Sequence, residues 1–144
     1  MSAILKYHTP KWFHVQELVP PDLYEQRGEA ALVVMDYRML KTADQIREFF
    51  MKPVTINNWA FGGERIYSGW RPFECQIGAK LSQHRFGRAI DFVVEGIAPE
   101  IVRSEIMGAA THFTYITTIE AGTPTWTHVD CRAIASNGIE LVGQ

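Results

Sequence analysis

Cysteine is scarce in this chain of 144 residues: Cys75 and Cys131 are the only two, and they lack CxxC spacing. That excludes a disulfide framework and a structural zinc knuckle, and two separate reduced thiols are expected. Positive charge is not in excess either. Fourteen Lys and Arg against 16 Asp and Glu give a formal net charge of −2, so there is no field to draw in phosphate backbones and nucleic acid is not expected as a partner. No segment approaches the ~20 apolar residues of a membrane span, which excludes insertion into a bilayer as a helix. The start of the chain lacks the pattern of an export signal, and the expectation is a soluble protein made without one. Repeats, low-complexity tracts and charge blocks are also missing, so boundaries fall between elements rather than domains.

What is present is apolar material enough for one core: 47% of the residues are hydrophobic, which suits a single domain over residues 1–144 with an irregular N-terminal arm at 1–20. Asp22 three residues before Glu25, followed by Ala30, Ala31, Val33 and Val34, predicts a helix from Asp22 into the mid-thirties, weakened by Gly28. Thr42 with Gln45 ahead of Ile46, Phe49 and Phe50 predicts a second helix that stops before Pro53. "VTIN" from Val54, "RIYSGW" from Arg65 and "RAIDFVV" from Arg88 read as strands, with Gly62-Gly63 marking a turn. Pro99 opens a third helical pattern. "FTYITTIE" and "TWTHVDC" flank "AGTP" as a hairpin, and "GIELV" closes the chain as a short strand. The fold class is therefore α+β, a small antiparallel sheet with N-terminal helices packed on it.

The chemistry concentrates in "SQHRFGRAIDF", Ser82 to Phe92, and in "WTHVD", Trp126 to Asp130. A catalytic zinc takes three protein ligands from His, Asp or Glu and keeps a position open for water. His84, Asp91 and His128 form such a set, with Trp126 and Asp130 on the face of His128 at period two. Spacing alone does not separate this from structural histidines and a turn aspartate. His14 and His112 read as ordinary surface or core histidines.

The motifs carry a resemblance. "SQHRFGRAID" matches SxHxxGxAxD at every fixed position, "WTHVD" matches W-x-H-x-D, and "SGWRP" from Ser68 is similar to an SG(Y/F/W)R segment, in that order along the chain. Together they resemble the D-Ala-D-Ala carboxypeptidase-like zinc peptidases, including phage L-Ala-D-Glu endolysins, which share the Hedgehog/DD-peptidase fold. The resemblance covers under half of the chain. It implies Zn²⁺ held by His84, Asp91 and His128, with Arg71 at the substrate near the scissile bond. A guanidinium suits that place because it can grip a carboxylate or stabilise an oxyanion; a surface ion pair is the plainer role for Arg71. Gly87 permits a tight turn between the first two ligands, and Ala89 leaves room beside Asp91. Ser82 suits a turn hydrogen bond or a substrate contact. Trp126 suits the core or the site wall, and Asp130 can orient a ligand imidazole.

A peptidase of this kind also needs a proton acceptor. In several branches of the resembling family a carboxylate stands three residues before the last histidine, where this chain has Thr125. Glu120 and Asp130 are the candidates in its place. If "AGTP" is a four-residue loop, Glu120 pairs with Thr125 and points away from the metal face; a bulge or a three- or five-residue loop reverses it.

The function implied is a zinc metallopeptidase cleaving stem or cross-link peptides of bacterial peptidoglycan; separately, a monomer is expected. If it is phage-encoded, it resides in the host cytoplasm until release or in the virion. The rival is a zinc-stabilised binding or structural module without catalysis, for which Thr125 argues.

Overall fold

The computed structural model describes residues 7–143. Three α-helices, α1 (Pro21–Arg27), α2 (Tyr37–Phe50) and α3 (Pro99–Gly108), accompany five strands. These are β1 (Val54–Thr55), β2 (Ala89–Val94), β3 (Thr118–Glu120), β4 (Thr127–Asp130) and β5 (Glu140–Val142). Among the described residues no helix is long and apolar enough to cross a membrane.

The long first helix expected from Asp22 is two pieces. Pro21 opens α1, Gly28 turns out of it at φ +58°, and residues 28–34 continue as tighter 3-10 turns that bury Ala31 and Leu32. The second helix starts earlier than Thr42. Asp36 caps it by accepting the Arg38 N–H at 2.9 Å, and Thr42 lies inside, its hydroxyl donating to the Arg38 carbonyl at 2.7 Å. Met39, Leu40, Ala43 and Ile46 form its fully buried stripe. Each of these Leu, Ile or Met side chains contributes on the order of 1.5–3 kcal/mol by leaving water.

The sheet order is β1-β2-β4-β3-β5, antiparallel except for β5, which runs parallel to β3. The sheet is thus mixed, not antiparallel throughout. After β4 the chain turns back, passes β3 and joins its far edge, and a strand antiparallel to β4 must there run with β3. Ile90, Phe92, Ile119 and Val129 join the apolar cluster with Leu40, Ala43, Val102 and Ile106. Alternation along β2 and β4 turns Asp91, His128 and Asp130 to the other face.

"RIYSGW" is not a strand. Its backbone partners are scattered: the Asn57 side chain accepts from Ser68 N, Ser68 O accepts from Asp91 N, and Trp70 N donates to Leu18 O. A segment bonded to three separate places cannot hold one ladder. The N-terminal residues follow the same logic, because Leu18 and Val19 are completely buried and Val15–Glu17 forms a 3-10 turn. Of the stretch 1–20 expected as an arm, residues 1–6 lie outside the described residues, and residues 13–19 contribute to the core.

Candidate metal centre

His84 is set by a short 3-10 turn, Gln83–Phe86. Ser82 caps the turn by accepting the His84 N–H, the turn role among its two readings, and its residue also lines the cleft below. Gly87 ends the turn at φ +69°, where a Cβ would stand 2.0 Å from the Val34 carbonyl oxygen. Gly87→Ala is therefore expected to lower stability by at least ~2 kcal/mol, through left-handed backbone strain and collision with an immobile carbonyl. Urea unfolding measures it, and an unchanged midpoint would refute the packing described. Gly69 is equally confined, with a Cβ position 2.2 Å from the Leu18 carbonyl oxygen.

Asp91 on β2 and His128 on β4 are direct cross-strand partners. Asp91 N donates to Ser68 O rather than to β4, so this is the close, non-hydrogen-bonded kind of antiparallel pair. His84 Nε2 lies 3.2 Å and His128 Nδ1 2.8 Å from Asp91 Oδ1. All three residues are buried, and their ligand atoms lie within 4.8 Å of one another, a group that can hold a metal ion.

The outer nitrogens are anchored as well. His84 Nδ1–H donates to the Gly69 carbonyl at 2.8 Å, which turns Nε2 toward Asp91 and the centre of the cluster. His128 Nε2 is 2.7 Å from Asp130 Oδ2. Asp130 is fully buried and also takes a fork from Arg132 through Nε and Nη2. It therefore lies behind His128 as an orienting group. Arg132 is a site residue that sequence reasoning passed over, although 128, 130 and 132 share one parity at the end of β4.

Arg71 is buried and donates from Nε to the Tyr67 carbonyl at 2.8 Å and from Nη2 to Asp91 Oδ2 at 3.2 Å. It is an ion pair, but with the candidate ligand rather than with a surface acid. A cleft of about 370 Å³ opens over the cluster, lined by Arg71, Ser82, Glu120, Trp126 and Arg132 with the three candidate ligands. Trp126 is thus partly exposed wall, not core.

Glu120 points to this cleft, contrary to the orientation that a four-residue loop requires. Thr118 faces Asp130 and Ile119 faces Val129, and the same register puts Glu120 opposite His128. Partner 128 in place of 125 is a shift of three, an odd number, which flips the face. The cause lies in the connection, residues 121–126. Thr123 is fully buried, donates to the Trp126 carbonyl at 2.6 Å and accepts from Arg103 of α3, so these residues are held outside the ladder. Glu120 Oε1 lies 3.8 Å from His128 Nε2, and its side chain is 27% exposed, open to water. Thr125 is exposed in the loop.

His112 packs against the Phe49 and Phe113 rings, and His14 takes no part in the cluster. Cys75 and Cys131 are both buried free thiols.

Burial opposes charge on His128, but hydrogen bonds to Asp130 and Asp91 outweigh it and push its pKa up to about 9. Burial likewise opposes ionisation of Asp91, yet the hydrogen bonds from His128 and His84 hold it well below the usual carboxylate range. Asp130 is lowered in the same manner, by His128 and Arg132 against burial. In metal-free protein a raised His128 stabilises fully below the unfolded value of ~6.5, and that stability is lost as pH rises through about 9. The lowered carboxyls act oppositely, stabilising above ~3.9 and losing this as pH falls. The melting temperature in chelator is expected to fall between pH ~6.5 and 9, with the fall removed in His128→Gln. A flat wild-type profile would contradict the arrangement.

Protein-family models, curated proteins and solved structures all return no match to this chain.

Proposed function

We propose that this protein is a zinc-dependent peptidase acting on stem or cross-link peptides of bacterial peptidoglycan, with a fold of the Hedgehog/DD-peptidase type. The observation that carries the reading is the donor set itself: two imidazoles and a carboxylate converge at the floor of a cleft, and both imidazoles are oriented from behind by Gly69 O and Asp130. Three N/O ligands beneath an open cleft suit a catalytic rather than a closed structural zinc. The resemblance of "SQHRFGRAID", "WTHVD" and "SGWRP" to D-Ala-D-Ala carboxypeptidase-like peptidases supplies the substrate class.

Zinc, when bound, supplies Lewis acidity and lowers the pKa of water. The chain does the rest. His84 Nε2, Asp91 Oδ1 and His128 Nδ1 are the holding atoms, and Arg71 pins the second Asp91 oxygen while presenting its guanidinium to the cleft. That charge can steady a substrate carboxylate or a developing oxyanion. Glu120 is the proton carrier: it shares the face of His128, reaches the cleft and is open to solvent. Asp130 is spent on His128 and Arg132. Trp126 and Ser82 line the cleft where peptide would lie.

A carboxylate in the cleft at Glu120 supports the catalytic reading over a module without catalysis, despite Thr125. The test is incubation with Gram-negative sacculi, with and without chelator, followed by mass spectrometry of released peptides. New muropeptides that vanish with chelator are expected. Unchanged muropeptides from protein confirmed to hold zinc would overturn the reading.

A further inference from the structure

A second cleft, of about 450 Å³, opens where β4 runs out. Three arginines, Arg38, Arg88 and Arg132, line it, and no carboxylate does. Two of the three are already matched: Arg38 forks onto Asp36, and Arg132 onto Asp130. Arg88 is not. Among the described residues it has no ion pair, its Nε is buried without a hydrogen-bond partner, and its guanidinium rests 4.8 Å from the centre of the Phe86 ring. A guanidinium left with donors unused is unfavourable unless an acceptor arrives. Thr114, Ser136 and Asn137 add further hydroxyl and amide donors around the same space, while Phe113 and Ile116 give it an apolar side.

We infer that this cleft binds a small organic anion, a carboxylate on a short apolar body, with its head on Arg88. The arginine fork matches a carboxylate in shape as well as charge, and the apolar wall favours a ligand with a hydrocarbon portion over a bare ion. The site is separate from the metal cleft and touches it only through Arg132, which lines both.

The probes are hexanoate and its uncharged counterpart hexanamide, titrated into the full-length ¹⁵N-labelled protein. Hexanoate is expected to shift amides of residues 113–117 and 131–139 saturably, and hexanamide is not. Arg88→Gln is expected to weaken hexanoate at least about tenfold, the worth of one charge-assisted hydrogen bond. The substitution breaks no hydrogen bond of the Arg88 side chain, and the wild-type comparison of the two probes decides the matter even without it. Equal response to both probes, shifts confined to the surroundings of Arg71 and His84, no saturable shift, or undiminished binding by Arg88→Gln would each overturn the proposal.

Discussion

His84→Ala is expected to remove the metal: wild-type protein carries about one zinc per chain after dialysis, and the variant carries none. The proposed peptide hydrolysis is expected to disappear with it. The size of the effect follows from the small number of ligands, since loss of one of three leaves a carboxylate and one imidazole, a weak pair for zinc. The reason to choose His84 over His128 is structural. His84 is anchored behind by the Gly69 carbonyl alone, whereas His128 is hydrogen-bonded to Asp91 and Asp130, so its removal takes a partner from each of two buried carboxylates. Metal uptake should also release a proton. In metal-free protein below about pH 9 both His128 nitrogens face carboxylate oxygens and the ring is charged, so Nδ1 must lose its hydrogen to become a ligand. Calorimetry in buffers of different ionisation enthalpy reads that proton. Equal zinc content in wild type and His84→Ala would remove the proposed site.

Glu120→Gln should leave zinc content intact and lower kcat/KM on a stem peptide by about 10²–10⁴, the usual worth of a positioned proton carrier. Glutamine keeps the size and the hydrogen-bonding reach of the side chain but cannot accept the proton. Asp130→Asn offers the contrast. Its carboxylate is completely buried behind His128, so the expected loss is in metal affinity, with any effect on rate following from it. Wild-type turnover by zinc-loaded Glu120→Gln would remove Glu120 as the proton carrier.

Both predictions depend on contacts that differ in how far they can be read from the residues alone. The candidate ligands were legible through the resemblance of three short local motifs, since spacing alone does not separate them from structural histidines and a turn aspartate. Strand alternation is enough to put His128 and Asp130 on one face. The three helices and most strands were legible for similar reasons, from caps, prolines and apolar spacing. Their limits were not. Thr42 looks like a cap, but Asp36 takes that position because a turn with a carboxylate acceptor precedes the buried stripe of α2. "RIYSGW" has a strand's composition, yet its hydrogen bonds go to Leu18, Asn57 and Asp91, three partners remote in sequence.

By itself the sequence determined a one-core α+β chain, the identities of the candidate ligands, and the absence of any carboxylate three residues before His128. Only the tertiary structure decided which carboxylate faces the cleft, what stands behind each imidazole, and that β5 runs parallel to β3. The physical reason is the same in each case. Register across a sheet changes face with a single odd step, and the step here is set by Arg103 of α3 holding Thr123 of a distant loop, a contact that no local pattern encodes.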